Sequence, residues 1–421
     1  MKKMKKGIAC LLAGLLALTS VPAAAAEVQD ADYDYEALKG QNISINVYNW
    51  GEYISDGSDG GVNVNEEFEK LTGIKVNYTN FATNEELYAK LKSGGADYDV
   101  IVPSDYMAGR MIAEDMLEKI DFANVPNFEY TNEQFRNLEY DPTNEYTVPY
   151  TWGIVGLIYN TTMVDKTIDS WDALWDEDYK NNVLMFSNSR DAFAISLARL
   201  GYSLNTTDES ELEQAAEELK KQKSLGTVYV MDEIFDKMEG GEAAIAPYYA
   251  GDAITMIDEN PDLAFAVPKE GTNRFVDVMC IPKGSKNKQA AEMYINFMCD
   301  PEIAKDNCEF IGYSTTNTSA YELLDDEMKN SEIAYPSDEV LENTEVFLNL
   351  DEDTNKKIDA LWTEVISSSN QQSTVSGTDS ADGSAANSSS SSWWIWVVVG
   401  AVIVAGAALL FVRNKKNKID Y

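Results

Sequence analysis

Aromatic and acidic side chains gather at three points of the chain where an apolar segment ends. A carboxylate attracts a positively charged group, and the face of an aromatic ring can cover one. Residues of these two types in the same place therefore indicate a site that holds a cation. The clusters are Trp50, Glu52 and Tyr53; Ser104, Asp105 and Tyr106; and Tyr248, Tyr249 and Asp252.

The residue types that are missing remove much catalytic chemistry. The chain has no histidine, so a Ser-His-Asp or Cys-His nucleophile and a histidine metal site are excluded. It contains no glycine-rich phosphate loop or dinucleotide motif. Asp351 opens a segment like a calcium loop, but Lys356 and Trp362 stand where that loop requires Gly and Glu. We expect neither an enzyme nor a bound metal or cofactor.

Alternating strands and helices must bring the first two clusters together. The sequence predicts strands from Ser44, over 75–79 and over 99–102, with helices over 65–71 and 85–91 between them. This order gives parallel strands with crossover helices, and such sheets bind ligands outside the carboxyl ends of their strands. The two clusters should therefore lie on one rim of an α/β sheet.

A second α/β block begins near residue 148. It includes a predicted strand over 243–246 and a helix over 189–200 that is capped by Ser189. Asp191 stands in the first turn of this helix, where the helix dipole favours an acid in any case. Taken alone, Asp191 therefore fits a structural role as well as a binding role.

The two ends of the chain predict export and membrane anchoring. Residues 1–26 have the basic start, apolar run and small-residue end of a signal peptide. Residues 393–412 are uncharged and long enough for a transmembrane helix. The basic tail, 413–421, should stay in the cytoplasm, and the Ser-rich stretch 367–392 should be a flexible linker. The protein should sit at the cell surface, with its ectodomain outside the plasma membrane.

The chain is strongly acidic, with 71 acidic and 33 basic residues and a net charge of −38. Such a field repels nucleic acid and attracts small cations. Solubility of a surface protein explains the charge at least as well as a ligand does. The charge therefore excludes nucleic acid as a partner and leaves open whether the ligand is a cation.

Three cysteines follow the predicted signal peptide, namely Cys280, Cys299 and Cys308. Their odd number leaves at least one without an intramolecular partner, and none forms a C-x-x-C pair. Pairing of Cys299 with Cys308 and a buried apolar role for each both fit the sequence.

Several phrases follow one another in order over residues 43–366. They are YNWGEYI, GIKVNY, YDVIVPSDYM, VPYTWG, AVPKEG and the stretch from YINFMCDPEIA to IGYSTTN. In this order they resemble the spermidine/putrescine-binding proteins of polyamine ABC importers. The resemblance implies an α/β, two-lobed periplasmic-binding-protein-like fold of type II, with a hinge. It also implies a monomer that closes on a polyamine and passes it to permease subunits in the membrane.

The resemblance also implies the residues that line the ligand site. A polyamine is a chain of ammonium groups separated by methylenes, so its site needs spaced carboxylates and aromatic faces. Asn188 and Phe347 depart from the spermidine-type pattern, and together with Asp252 they favour a shorter diamine. The expected ligand-binding residues are Trp50, Tyr53, Ser104, Tyr106, Asp191, Tyr249, Asp252, Phe275, Asp277 and Tyr313.

The chain should cross between the two lobes three times, near Val148, Phe275 and Thr316. Lobe 1 would comprise 40–148 and 277–316, and lobe 2 would comprise 149–276 and 317–366.

Two alternatives remain at this point. Tyr248 and Tyr249 resemble the adjacent tyrosines of ferric-ion receptors, which would make the protein a receptor for another cation on the same fold. The other alternative is a surface protein without a role in transport.

Overall fold

The computed structural model describes residues 33–95 and 97–368. Eleven strands and thirteen helices alternate along these residues. The strands are β1 (Ser44–Trp50), β2 (Lys75–Phe81), β3 (Val100–Ile101), β4 (Thr147–Asn160), β5 (Leu184–Phe186), β6 (Val228–Val230), β7 (Ile245–Tyr249), β8 (Leu263–Ala266), β9 (Thr272–Cys280), β10 (Ser314–Thr315) and β11 (Thr344–Glu345).

The helices are α1 (Val64–Thr72), α2 (Asn84–Lys92), α3 (Asp105–Ala113), α4 (Ser189–Leu200), α5 (Glu209–Ser224), α6 (Glu233–Glu239), α7 (Ala250–Glu259), α8 (Lys288–Met298), α9 (Pro301–Ile311), α10 (Thr318–Leu323), α11 (Asp326–Lys329), α12 (Asp338–Glu342) and α13 (Glu352–Ser367). Short 3₁₀ turns connect several of them, one of which is Trp171–Trp175.

Local capping signals place the first two helices. The Asn63 side chain accepts a hydrogen bond from the Glu66 amide at the start of α1, and Gly73 ends that helix with φ 75°. At the start of α2, Thr83 Oγ1 accepts from the Glu86 amide at 3.1 Å. These caps fix where the chain turns back, so β1, β2 and β3 run parallel as predicted.

Nine strands form one sheet in the order β10-β4-β9-β3-β1-β2, with β7 and β8 paired to β4 and β11 paired to β9. Strands β5 and β6 form a separate parallel pair. The fourteen-residue strand β4 is buried along almost its whole length. It pairs antiparallel with β9 through its first half and with β7 and β8 through its second half.

Strands β4 and β9 therefore join two ends of the sheet. At one end Cys280 of β9 pairs with Ile101 of β3, next to β1. At the other end Tyr159 of β4 pairs with Ile245 of β7. Helices α8 and α9 follow β9, and α10 follows β10. Strand β11 pairs with the start of β9, and α13 packs on α4 and α5.

The three described cysteines are all free and buried. Burial raises the pKa of Cys299 and of Cys308 to about 12, so both thiols stay protonated. Of the two roles that the sequence left open, the structure shows the buried apolar one.

The predicted signal peptide (1–26), transmembrane helix (393–412) and cytoplasmic tail (413–421) lie outside the described residues, as does all but the first two residues of the predicted linker (367–392). Within 33–95 and 97–368, no helix is long and apolar enough to cross a membrane.

Candidate functional site

All ten residues predicted to bind a ligand line one cavity, whose empty volume is about 560 Å³. They come from β1, α3, α4, β7, α7, β9 and the loops that follow β1, precede α3 and precede β10. The predicted rim at the carboxyl ends of the first strands supplies Trp50, Tyr53, Ser104 and Tyr106. The remaining six come from the second block and from the strands that cross between the two ends of the sheet.

Asp277 lies at the middle of β9 and points into the cavity. Side chains alternate across a strand, so Asn273, Phe275 and Asp277 face the same side. Tyr53 Oη donates a hydrogen bond of 2.6 Å to Asp277 Oδ2. The other oxygen, Oδ1, is buried and has no hydrogen-bond partner among the described residues. Burial raises the pKa of Asp277 to about 6.

Asp191 is held by two neutral donors and by the start of α4. Asn188 Nδ2 and Tyr249 Oη each donate to Asp191 Oδ2 at 2.8 Å. The helix cap is Asn188, whose Oδ1 accepts from the Arg190 amide at 2.9 Å; the prediction that Ser189 is the cap is wrong. Burial raises the pKa of Asp191 to about 7, although the first turn of a helix favours the charged form.

Asp252 occupies the first turn of α7 and is 8% exposed. Burial raises its pKa well above the usual range, and the nearby carboxylates of Asp232, Glu52 and Asp277 raise it further. Three buried carboxyl groups thus face one cavity. Each has an elevated pKa, because removing a charge from water without a positive partner is costly.

Aromatic rings form a continuous wall around these acids. Tyr313 packs edge-on against Tyr53, with ring centroids 4.6 Å apart, and Gly251 allows this packing because a Cβ there would lie 2.1 Å from the Tyr313 ring. Phe275 contacts both Tyr313 and Tyr249, at 6.3 and 5.4 Å between centroids. The wall can cover the methylene groups of a ligand whose charged ends meet the carboxylates.

No basic side chain lines this cavity within the part of the chain that the structure describes. Arg190 lies behind the wall, with its guanidinium 4.6 Å from the Phe347 ring centroid and 5.7 Å from that of Tyr106. Its NH2 group donates to Asn205 Oδ1 at 2.8 Å rather than to Asp191. Among the described residues, Asp191, Asp252 and Asp277 therefore have no ion-pair partner.

The two adjacent tyrosines both contact other side chains of the protein. Tyr249 donates its hydroxyl to Asp191, and the Tyr248 ring stacks on Phe186 with 5.2 Å between centroids. Burial raises the pKa of both phenols well above the usual range, which opposes phenolate binding of iron. Over residues 33–95 and 97–368, no group of acidic or cysteine side chains is arranged to hold a metal ion.

The cavity wall also includes residues that the sequence analysis did not assign to the site. Asp232 lies at its exposed edge, and a Cβ on Gly51 would come within 2.3 Å of Asp232 Oδ2. Asp232 follows the carboxyl end of β6. Ligands bind outside the carboxyl ends of parallel strands, and this rule, which identified the first two clusters, also identifies Asp232. The other wall residues beyond the predicted ten are Gly51, Asn84, Met231, Asn273, Phe347 and Tyr248, of which Tyr248 belongs to a cluster named from the sequence.

The fold and this site define a class of protein. The model of the family described as bacterial extracellular solute-binding protein matches residues 63–336, and the chain belongs to this family. The predicted resemblance to spermidine/putrescine-binding proteins is confirmed.

One relative is the spermidine/putrescine-binding periplasmic protein of Salmonella typhimurium, which is 38% identical over 307 residues, covering 72% of this chain and 86% of the relative.

Solved structures agree with the sequence relatives. A putative spermidine/putrescine ABC transporter protein from Listeria monocytogenes is 38% identical, with a TM-score of 0.73 over 77% of this chain and 99% of its own. The spermidine/putrescine ABC transporter substrate-binding protein of Streptococcus pneumoniae is 37% identical, with a TM-score of 0.65 over the same shares of the two chains. The predicted periplasmic-binding-protein-like fold is therefore confirmed.

Proposed function

We propose that this protein is the substrate-binding component of a polyamine ABC importer. It captures a protonated polyamine outside the cytoplasm and delivers it to permease subunits in the membrane. It acts as a monomer, without enzymatic activity and without a cofactor. One observation carries the proposal: Asp191, Asp252 and Asp277 are buried together in an aromatic cavity that has no basic residue among those described.

A polyamine matches this cavity because it supplies what the acids lack. Each ammonium group carries a positive charge and donors, so it can pair with a buried carboxylate that has an unused oxygen, such as Asp277 Oδ1. The methylenes between the ammonium groups suit the faces of Tyr249, Phe275 and Tyr313. In this proposal Asp277 binds one ammonium, and Asp191 and Asp252 meet the others.

Asn188, which contacts Asp191, and the wall residue Phe347 support a diamine such as putrescine as the preferred ligand. Asn188 uses its side chain to cap α4 and to orient Asp191, so it adds no charge. Phe347 packs edge-on against Tyr106 at 5.6 Å and provides no polar group. A third ammonium would therefore find fewer partners at these positions than the first two find at the aspartates.

Hinge closure is part of the proposal. Lobe 1 (40–148 and 277–316) and lobe 2 (149–276 and 317–366) would move about β4, β9 and the segment near Thr316. A ligand that contacts residues of both lobes favours the closed arrangement. Small-angle scattering should show compaction when putrescine is added, and an unchanged radius of gyration would contradict closure.

The same proposal covers location. The predicted signal peptide and C-terminal helix would place the protein at the cell surface, anchored in the plasma membrane with the binding cavity outside. Family membership supports a position outside the cytoplasm, since the relatives are named as periplasmic binding proteins.

Calorimetric titration of the purified protein with putrescine, spermidine and spermine tests the proposal. We expect saturable binding, with putrescine ranked first. Asp277→Ala should weaken binding by about thirtyfold or more, because loss of one partner of a buried charge pair costs about 2–5 kcal/mol. Asp169→Ala is the matched control, since Asp169 is an exposed surface acid paired with Lys269. Absence of binding by all three ligands, or equal affinity of the two variants, would contradict the proposal.

A further inference from the structure

A second cavity lies behind β9, on the side opposite the acidic cavity. Strand alternation turns Arg274 and Val276 away from Phe275 and Asp277, and both residues line this second space. Its empty volume is about 1360 Å³, which includes an opening to solvent. Helix α3, the loop that contains Tyr140 and the segment 346–349 form its walls, so it touches elements from both ends of the sheet.

Arg274 has no partner in this cavity. It is partly buried, yet it makes no side-chain hydrogen bond or ion pair with any described residue. The other arginines in 33–95 and 97–368 behave differently: Arg110, Arg136, Arg190 and Arg199 each donate to a carboxylate, an amide oxygen or a backbone carbonyl. The Arg274 guanidinium is therefore available to an acceptor that comes from outside.

A second unused donor lies in the same wall. Tyr140 Oη is buried and has no hydrogen-bond partner among the described residues. A Cβ placed on Gly109 of α3 would lie 3.3 Å from the Tyr140 Cβ, which shows how closely this helix packs against the tyrosine. A buried hydroxyl group without a partner is costly, so a ligand that supplies an acceptor is favoured here.

The nearest buried acid does not satisfy these donors. Asp105 accepts hydrogen bonds from the Tyr106 amide at 2.7 Å and from the Val276 amide at 3.1 Å. Glu139, the other acid in the wall, is exposed and forms no ion pair with Arg274. The donors of Arg274 and Tyr140 thus remain unused beside these two acids, and the apolar part of the cavity consists of side chains such as Phe135, Leu138 and Val276.

We propose that this cavity binds a small organic carboxylate with an apolar, ring-sized body. The carboxylate would accept from the Arg274 guanidinium and from the Tyr140 hydroxyl, because a guanidinium fork matches the two carboxylate oxygens. The body would pack on Phe135, Leu138 and the side of Phe347 that faces this cavity. The site is separate from the acidic cavity and does not depend on the function proposed for that cavity.

Titration of the purified protein with 3-phenylpropionate at 0.15 M salt and neutral pH tests the proposal by calorimetry and by ligand-observed NMR. At this ionic strength the remote surface charges are largely screened, whereas a direct contact with Arg274 is retained. We expect saturable binding that weakens at least tenfold in Arg274→Gln and several-fold in Tyr140→Phe. Thermal unfolding of each variant shows whether it is folded.

Three controls locate the binding. Lys286→Gln removes the same charge from an exposed surface pair with Asp97, so it should leave the affinity unchanged. The alcohol 3-phenylpropan-1-ol has nearly the same shape without the charge and should bind at least tenfold more weakly. Asp277→Asn should still bind 3-phenylpropionate, because Asp277 faces the other cavity. Absence of saturation, equal loss in Lys286→Gln and Arg274→Gln, or loss in Asp277→Asn would overturn the proposal.

Discussion

The acids of the ligand cavity and the acids of the protein surface differ in what surrounds them. Glu114 on the surface is in contact with Lys92 and Arg110. Partial burial acts in the opposite direction, but hydrogen bonds from Lys92, Tyr88 and Arg110 lower the pKa of Glu114 to about 2. In the cavity, burial raises the pKa of Asp277 to about 6 and no cation offsets it. Glu114 therefore has two cationic partners, whereas Asp277 has none among the described residues.

This difference explains how an acidic cavity can be selective. A surface acid that already has a partner gains little from a dissolved cation. A buried acid without a partner carries an electrostatic cost in the empty protein, and a cationic ligand relieves that cost when it binds. Relief of this electrostatic cost thus contributes to the binding free energy. The aromatic wall selects among cations by their shape.

The largest expected effect comes from supplying the missing cation within the protein. Met231 lines the cavity and is buried, and lysine has nearly the same length. In Met231→Lys the new ammonium group should pair with the cavity acids and weaken putrescine binding by a hundredfold or more, measured by calorimetry. Met231→Leu changes the shape without adding charge and should keep binding within a few-fold of the original. Unchanged affinity in Met231→Lys would show that putrescine binding does not depend on the lack of a cation in the cavity.

The next effect concerns the stability of the empty protein. Burial raises the pKa of Asp277 from 3.8 to about 6, so its contribution favours folding below about pH 4 and is lost as the pH rises through 6. The shift corresponds to a loss on the order of 3 kcal/mol. Asp277→Asn should therefore stabilise the ligand-free protein at pH 8 and have little effect at pH 4. Chemical denaturation at both pH values measures this change, and a destabilised variant at pH 8 would contradict the account.

Much of this cavity was predictable from the sequence, and the reasons are local. Trp50 and Tyr106 follow apolar strands in a β-α-β-α-β order, and parallel strands place their carboxyl ends on one edge. Asp191 could not be assigned from its position alone, since a first-turn acid is common. The resemblance brought it together with Asp277, and the structure shows both side chains in one cavity.

Other features depend on long-range packing that no local pattern contains. Asn188 caps α4 while it also binds Asp191, so its second role appears only once Tyr249 and Asp191 are in contact. Asp232 reaches the cavity because Gly51, far away in the sequence, leaves room for it. The partner-free state of Arg274 is visible only after all the neighbours of β9 are placed.

Ligand affinity should depend on pH in a direction that the cavity acids set. Burial raises the pKa of Asp191 to about 7 and that of Asp277 to about 6, and a polyamine binds their charged forms. Protons held by these acids must leave when the ligand binds, so the affinity should fall by about tenfold or more from pH 8 to pH 5. Calorimetry in buffers of different ionisation enthalpy should detect the released protons. An affinity that is constant over this range, with no proton release, would contradict the elevated pKa values.

The smallest effect is expected at the surface, where Glu114→Gln provides the counterpart to Asp277→Asn. The lowered pKa of Glu114 means that its stabilising contribution is present above about pH 4.5 and is lost as the pH falls through 2. Because the group is partly exposed and screened by solvent, Glu114→Gln should destabilise the protein by at most about 1 kcal/mol at pH 7. Putrescine binding should not change. Both substitutions remove one negative charge from the chain. If their effects on stability at neutral pH have opposite signs, the contribution of an acid depends on whether it has a partner and not on the net charge. Stabilisation by Glu114→Gln comparable to that by Asp277→Asn would instead indicate that overall repulsion among the acids dominates.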